Sequence, residues 1–340
     1  MNSASPTIER VAIVGAGAIG IWMGAQLAQA GCQLSALARG ATLAALRSQG
    51  LRLQSATHPL VQAAVQASDR ATDLGEQDLV VIALKAPTLA EVAPQIAPLI
   101  GPQTLVLTAM NGVPWWFFQG FGGALAGTRL QSIDPDGRIA AALPPEQVLG
   151  AVVHASCATQ EPGLVQHHFG KRLVLGEPAG GVTARLMALA ELLGRAGFQV
   201  ETSDCIQRDI WFKLWGNMTV NPISALTGAT TDLIMDDDLL RQAISAMMLE
   251  AREVGARIGL PISQSPEERH AVTRQLGRFK TSMLQDMEAG KPVELDALLG
   301  AVRELGQRTG VATPLLDALL ALARLQARIK GLYPWPEAQA

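Results

Sequence analysis

The chain has 340 residues, 49% hydrophobic and 17% charged, with a formal net charge of -3. That length serves one large domain or two ordinary ones, and the balance supports a large core and excludes a mostly disordered chain. Without a long basic run there is no footprint for nucleic acid, and Cys32, Cys157 and Cys205 lie too far apart for a disulfide framework or a CxxC metal site, so a reducing cytoplasm and no metal are expected.

In chain order, Met1 to Arg10 is polar and carries Glu9, unlike a signal peptide, and no later uncharged apolar run approaches the ~20 residues that cross a bilayer. Arg10 to Val14 reads as a strand, Ala18 to Ala30 as a helix, Gln33 to Ala38 as a strand and Ala41 to Gln49 as a helix. Leu51 to Leu53 and Leu60 to Val65 form a candidate strand pair. Leu79 to Leu84 is continuously apolar, as befits a strand buried on both faces. A helix over Thr88 to Ile100 and a strand over Thr104 to Met110 follow. This alternation predicts a mostly parallel sheet with helices on both faces. Pro114 to Pro145 reads as loop with a helical piece. Val148 to Ala155, Leu164 to His168 and Arg172 to Leu175 read as strands, Thr183 to Ala196 as an amphipathic helix and Phe198 to Glu201 as a last strand. Beyond Asp204 the pattern is helical, over Leu239 to Ile258, Glu267 to Glu288, Glu294 to Thr309 and Pro314 to Ile329. The expected organisation is an α/β, Rossmann-type dinucleotide-binding domain over 8–203 and an all-helical domain over 204–332.

Gly15-Ala16-Gly17-Ala18-Ile19-Gly20 stands between a strand and a helix, the setting in which G-x-G-x-x-G binds a dinucleotide. The first glycine makes the tight turn, the second admits a pyrophosphate to the backbone, and the third lets helix and strand pack. After the second strand, where an NAD enzyme usually carries a carboxylate, stands Arg39. A guanidinium pairs with a 2′-phosphate that a carboxylate would repel, so Arg39 points to NADP(H); the competing reading is a solvated surface arginine. Lys85 and Asn111 likewise follow buried strands directly, where ligands bind in open parallel sheets. Asn111-Gly112 is also an ordinary turn pair.

Lys213, Asn217 and Asn221 recur every fourth residue in an otherwise apolar helical segment, which puts one lysine and two amides on one face. Pro222 should end or kink that helix. A partly buried lysine suits a general acid, because burial lowers its pKa towards the working range. A snorkelling lysine with two satisfied buried amides would show the same spacing. Ser282, expected within a long helix, and Glu294, expected in the first turn of the next, are unremarkable on local grounds.

The glycine loop, Leu84-Lys85-Ala86, Asn111-Gly112, Lys213…Asn217…Asn221-Pro222, Ser282-Met-Leu-Gln-Asp286 and Glu294-Leu-Asp296, in that order, resemble the ketopantoate reductase family, the 2-dehydropantoate 2-reductases, over about residues 9 to 330. The resemblance implies an active site in the cleft between a Rossmann-type and a helical domain, and NADPH-dependent reduction of a 2-oxo acid such as ketopantoate to pantoate. It implies Lys213 as general acid, Asn111, Asn217, Asn221 and Ser282 as substrate contacts, and Lys85, Asn111, Ser156 and Glu294 as cofactor contacts.

The chain departs from the family pattern at Thr231, where an asparagine is usual, at Ala297 to Gly300, and at the aromatic run Trp115 to Phe118. That run reads either as a lid favouring a bulkier oxo acid or as a loop anchor packed on the sheet. Alternatives are therefore a same-fold enzyme for another oxo or hydroxy acid, or a non-catalytic NADP(H) sensor. The expected partner is a small-molecule 2-oxo acid, with neither nucleic acid nor membrane, and the helical domain is apolar enough to bury a homodimer interface.

Overall fold

The computed structural model describes residues 8–56 and 59–335; Met1 to Thr7, the polar start of the chain, lie outside the described residues. The first half builds one ten-stranded sheet from β1 (Arg10–Val14), β2 (Gln33–Leu37), β3 (Leu51–Ser55), β4 (Val61–Ala63), β5 (Gln66–Ser68), β6 (Gln77–Ile82), β7 (Ile100–Thr108), β8 (Val148–Glu161), β9 (Leu164–Gly176) and β10 (Gln199–Ser203). The strand order is β4-β3-β9-β8-β7-β6-β1-β2-β5, with β10 also paired to β9. From β5 to β8 every pairing is parallel. That stretch is the doubly wound order whose direction reverses between β1 and β6, the point where dinucleotides bind. The β8–β9 and β3–β4 pairs are antiparallel.

Burial explains the strand sequences. Val11 and Ile13 of β1 share a core with helices α1 (Ala18–Gln29) and α5 (Ala184–Arg195), while Ala12 and Val14, pointing the other way, are equally buried. Both faces are therefore covered, which is why β1 and β6 are apolar without alternation. Helices α2 (Gly40–Gln49), α3 (Ala86–Ile96) and the short α4 (Arg138–Ala142) complete this part.

The second half is helical: α6 (Ile206–Thr227), α7 (Thr231–Asp236), α8 (Asp238–Arg257), α9 (Pro266–Arg274), α10 (Ser282–Glu288), α11 (Ala301–Thr309) and α12 (Pro314–Ile329). Among the described residues no helix is long and apolar enough to cross a membrane. The chain groups into two compact units: residues up to 110 with 116–121 and 137–209, and 111–115 with 122–136 and everything from 210 on.

Four local expectations are corrected. Pro222 does not end α6, which continues to Thr227; the residues around it, from Met218 to Ala225, are buried, and their packing outweighs the lost backbone hydrogen bond. The stretch from 267 to 288 is two helices, because Gly277 turns the chain at φ 59° and Thr281 starts α10 afresh by accepting from the N–H of Leu284. Glu294 lies ahead of its helix, which opens with a π turn over Asp296–Gly300 before α11. The segments 164–168 and 172–175 are one strand, β9, paired along its length with the equally long β8.

Candidate active site

The dinucleotide cradle belongs to the first unit. β1 ends at Val14, Gly15 follows it, and α1 begins at Ala18 with Gly17 as its N-cap, which offers no side chain to satisfy the first-turn N–H groups. A Cβ on Gly15 would stand 2.6 Å from the Ala83 carbonyl oxygen, where the chain leaves β6, and one on Gly20 would meet the Gly15 carbonyl oxygen at 2.1 Å. These two glycines are needed for packing. A Cβ on Gly17 would meet nothing within 4 Å. The loop is thus tight behind and open at its middle glycine, and the helix N-terminus there favours phosphate, so the residues present fit a bound dinucleotide. Arg39 follows β2 as the N-cap of α2 and is exposed, and Lys85 follows β6 as the N-cap of α3. Both leave carboxyl ends of strands that neighbour β1. Ser156 is buried on β8, where the pairing with β9 shifts register on either side of it.

The second cluster belongs to the other unit. Lys213 Nζ donates to Asn111 Oδ1 at 2.8 Å. Burial pushes the lysine from 10.5 down to about 8, opposed by the nearby Glu294 carboxylate and reinforced by the cation of Arg269. Three distant stretches thus meet at one ammonium: the turn after β7, the middle of α6, and the residue ahead of the π turn.

Backbone contacts hold that arrangement. Gly112 adopts φ 78°, and a Cβ there would stand 2.5 Å from the Ala297 carbonyl oxygen. The same carbonyl accepts from the N–H of Val113 at 2.9 Å. The peptides after Asn111 therefore lie directly on the π turn that follows Glu294. Asn217 and Asn221 share α6 with Lys213, and neither amide side chain makes a hydrogen bond among the described residues. They are not the satisfied core amides that the spacing alone also allowed. Ser282 opens α10 at an exposed position and makes no side-chain hydrogen bond to Lys213, Asn111 or Glu294.

Two departures noted in the sequence acquire structural roles. Thr231 is buried, and its hydroxyl donates to the Gly277 carbonyl at 2.7 Å, while its N–H donates to the Phe279 carbonyl at 2.9 Å. It ties α7 to the turn before α10. Trp116, Phe117 and Phe118 are buried; Trp116 donates its indole N–H to Thr108 Oγ1 at 3.2 Å and sits over Gly150, where a Cβ would meet the ring at 2.5 Å. This run is the loop anchor rather than the lid. Burial pushes the Cys157 thiol up to about 12, which leaves it inert beside Ser156.

Arg269 is the member of the second cluster that sequence reasoning passed over. The available signal was Gly216, a glycine in the middle of an apolar helix between Lys213 and Asn217, which marks a close approach of another group.

Comparison with known proteins completes the reading. Residues 11–118 match the family described as ketopantoate reductase PanE/ApbA, and residues 205–327 match its C-terminal part. A 2-dehydropantoate 2-reductase of Mesorhizobium japonicum is 46% identical over 325 residues, 95% of this chain and 99% of that protein. The crystal structure of a candidate ketopantoate reductase from Ralstonia solanacearum MolK2 is 57% identical with a TM-score of 0.93, covering 96% of this chain and 100% of that one. A 2-dehydropantoate 2-reductase from Geobacter metallireducens GS-15 is 28% identical with a TM-score of 0.82, covering 93% and 99%. Fold and relatives together define an oxidoreductase of the 2-oxo and 2-hydroxy acid class that uses a nicotinamide dinucleotide. Within that class, the chain belongs to the ketopantoate reductase family.

Proposed function

We propose that this protein reduces a 2-oxo acid with NADPH, that its substrate is 2-dehydropantoate, giving pantoate, and that Lys213 is the general acid. The observation that carries the reading is the hydrogen bond from Lys213 Nζ to Asn111 Oδ1 at 2.8 Å, on a lysine brought down to about 8 by burial. A group titrating there is charged at neutral pH and still able to give up its proton.

The cofactor is held by Gly15 to Gly20, Arg39, Lys85 and Ser156, with Glu294 and Asn111 completing its contacts. When bound it supplies the hydride. Negative charge then builds on the substrate's keto oxygen, and Lys213 stabilises that charge and delivers a proton to it. Asn111 fixes the ammonium by accepting one of its N–H groups. The side-chain amides of Asn217 and Asn221, uncommitted within the protein, are available to hold the substrate, with Ser282 at the start of α10. The exposed Arg39, free of any ion pair among the described residues, supports the 2′-phosphate and hence NADPH over NADH.

Thr231 favours a second reading, a different 2-oxo acid. Where the family usually carries an asparagine, this hydroxyl is engaged with the Gly277 carbonyl and is not offered to a ligand. The deciding experiment follows NADPH and NADH consumption with ketopantoate beside a panel of bulkier and smaller 2-oxo acids. Fast turnover of ketopantoate with NADPH supports the first reading. Slow ketopantoate turnover beside a fast analogue moves the substrate and keeps the mechanism. NADPH binding without turnover of any acid removes both and leaves a sensor.

A further inference from the structure

Two cations lie on the same stretch of α6, and only one has a part so far. Arg269, on α9, lays its guanidinium against the bare backbone of Gly216. A Cβ at that position would stand 2.5 Å from Nε, 2.5 Å from Nη2 and 2.9 Å from Cζ. Phe212, the residue before Lys213, has its ring centroid 5.5 Å from Cζ. The guanidinium is therefore wedged on the helix beside the lysine, in a place that exists only because residue 216 has no side chain.

Its surroundings do not account for its charge. Nε is buried without a hydrogen-bond acceptor, and no carboxylate or carbonyl among the described residues accepts from the guanidinium. Burial alone shifts its titration, with no acidic neighbour to offset it. A partly desolvated cation with a buried, unpartnered Nε and no counter-ion is costly to keep, and the face of one phenyl ring compensates only part of that cost. Such a group is explained by an anion that arrives from outside.

We propose that Arg269 is a substrate-recognition residue of this site, receiving the carboxylate of the 2-oxo acid whose keto oxygen Lys213 protonates. The inference rests on the reduction proposed above. The chemistry divides between the two cations as the substrate demands. The carboxylate keeps its charge from start to finish, and a guanidinium, which does not surrender a proton, matches it with two parallel donors. The keto oxygen changes charge during the reaction, and the lysine, which titrates, faces that change. A residue on α9, well beyond the Lys213 stripe of α6 in sequence, thereby sets acid against ester or amide.

The test compares a 2-oxo acid with its methyl ester as substrates for the wild type, Arg269→Gln, Arg269→Lys and Gly216→Ala, with the NADPH Kd measured alongside. In Arg269→Gln the KM for the acid rises roughly 10- to 100-fold while kcat changes little, and the KM for the ester stays put, so the preference for the acid collapses. Arg269→Lys recovers part of it. Gly216→Ala displaces the guanidinium without removing its charge and shifts the preference in the same direction, which keeps the inference testable if Arg269→Gln folds poorly. An acid-to-ester preference retained in these variants, or a loss that falls on NADPH affinity instead, overturns the inference. If the wild type turns over no 2-oxo acid, the reduction reading fails by itself. Arg269 is then tested by calorimetric binding of oxamate, and equal affinity in wild type and Arg269→Gln overturns its role.

Discussion

Lys213 and Asn111 are 102 residues apart in the chain and joined by a 2.8 Å hydrogen bond. The bond orients both partners. Asn111 Oδ1 accepts from the ammonium, which leaves the asparagine's NH2 as the end that can donate to a ligand oxygen, and the bond holds the lysine in one place, within the field of the Glu294 carboxylate.

Replacing the acid tests this arrangement most directly. Lys213→Met should lower kcat by about 10²- to 10⁴-fold, the usual range for a positioned general acid, and leave NADPH affinity intact. Stopped-flow hydride transfer and fluorescence titration of NADPH measure the two quantities. Wild-type turnover in this variant would remove the mechanism.

The lowered lysine sets a pH profile with a definite sign. Reduction uses the ammonium, so its rate should be level below about pH 8 and fall as pH rises through that value; oxidation of the hydroxy acid uses the neutral amine and should rise across the same range. The stability effect runs by the same linkage. The unfolded chain holds this proton more tightly than the folded one, so the buried ammonium costs stability below about 8, and the cost is gone by the unperturbed value of 10.5. Lys213→Met should therefore gain about 1–3 kcal/mol near neutrality and lose that gain in alkali, as measured by urea unfolding at both pH values.

Arg39 should decide between the two nicotinamide dinucleotides. Arg39→Glu is expected to raise the KM for NADPH by roughly 10- to 100-fold and to improve use of NADH, through loss of a charge-assisted contact and gain of a ribose acceptor. Equal KM values for NADPH in the two proteins would make Arg39 a solvated surface residue.

Gly112→Ala should be destabilising and should impair turnover together. Alanine at φ 78°, with its Cβ 2.5 Å from the Ala297 carbonyl oxygen, costs about 1–3 kcal/mol and forces the Asn111 peptide off the π turn. Thermal unfolding and kcat, measured on the same preparation, should both fall.

Thr231→Val separates structure from recognition. It leaves the Gly277 carbonyl without its hydroxyl partner in a buried place, so stability should drop by about 1–2 kcal/mol while the KM for the 2-oxo acid holds. A changed KM with unchanged unfolding would put Thr231 against the substrate instead.

Much of this arrangement is legible in the amino-acid sequence. The strand–glycine–helix start, the apolar β6 and the bounds of α12 follow from periodicity and turn residues, which act locally. The spacing of Lys213, Asn217 and Asn221 places them on one helix face for the same reason. What escaped is what depends on packing. Pro222 stays helical because its neighbours are buried. Ser282 begins a helix because Thr281 caps it. Asn111 groups with Lys213 rather than with the strand it follows, and Arg269 reaches α6 through the gap at Gly216. Each joins residues far apart in sequence, a relation that periodicity does not carry.

The π turn at Asp296–Gly300 bears on how this site can change over time. The N–H of Ala301 reaches back five residues to the Asp296 carbonyl, one more than in an α-helix, so the segment holds a surplus residue. From it the Ala297 carbonyl takes the N–H of Val113. Deleting one residue here would make a regular helix and sever the turn bearing Asn111 from the segment bearing Glu294. A change that local propensity would welcome is one that a working lineage has to refuse, and a redesign of this pocket has to keep the loop and the helix start as a single inherited piece.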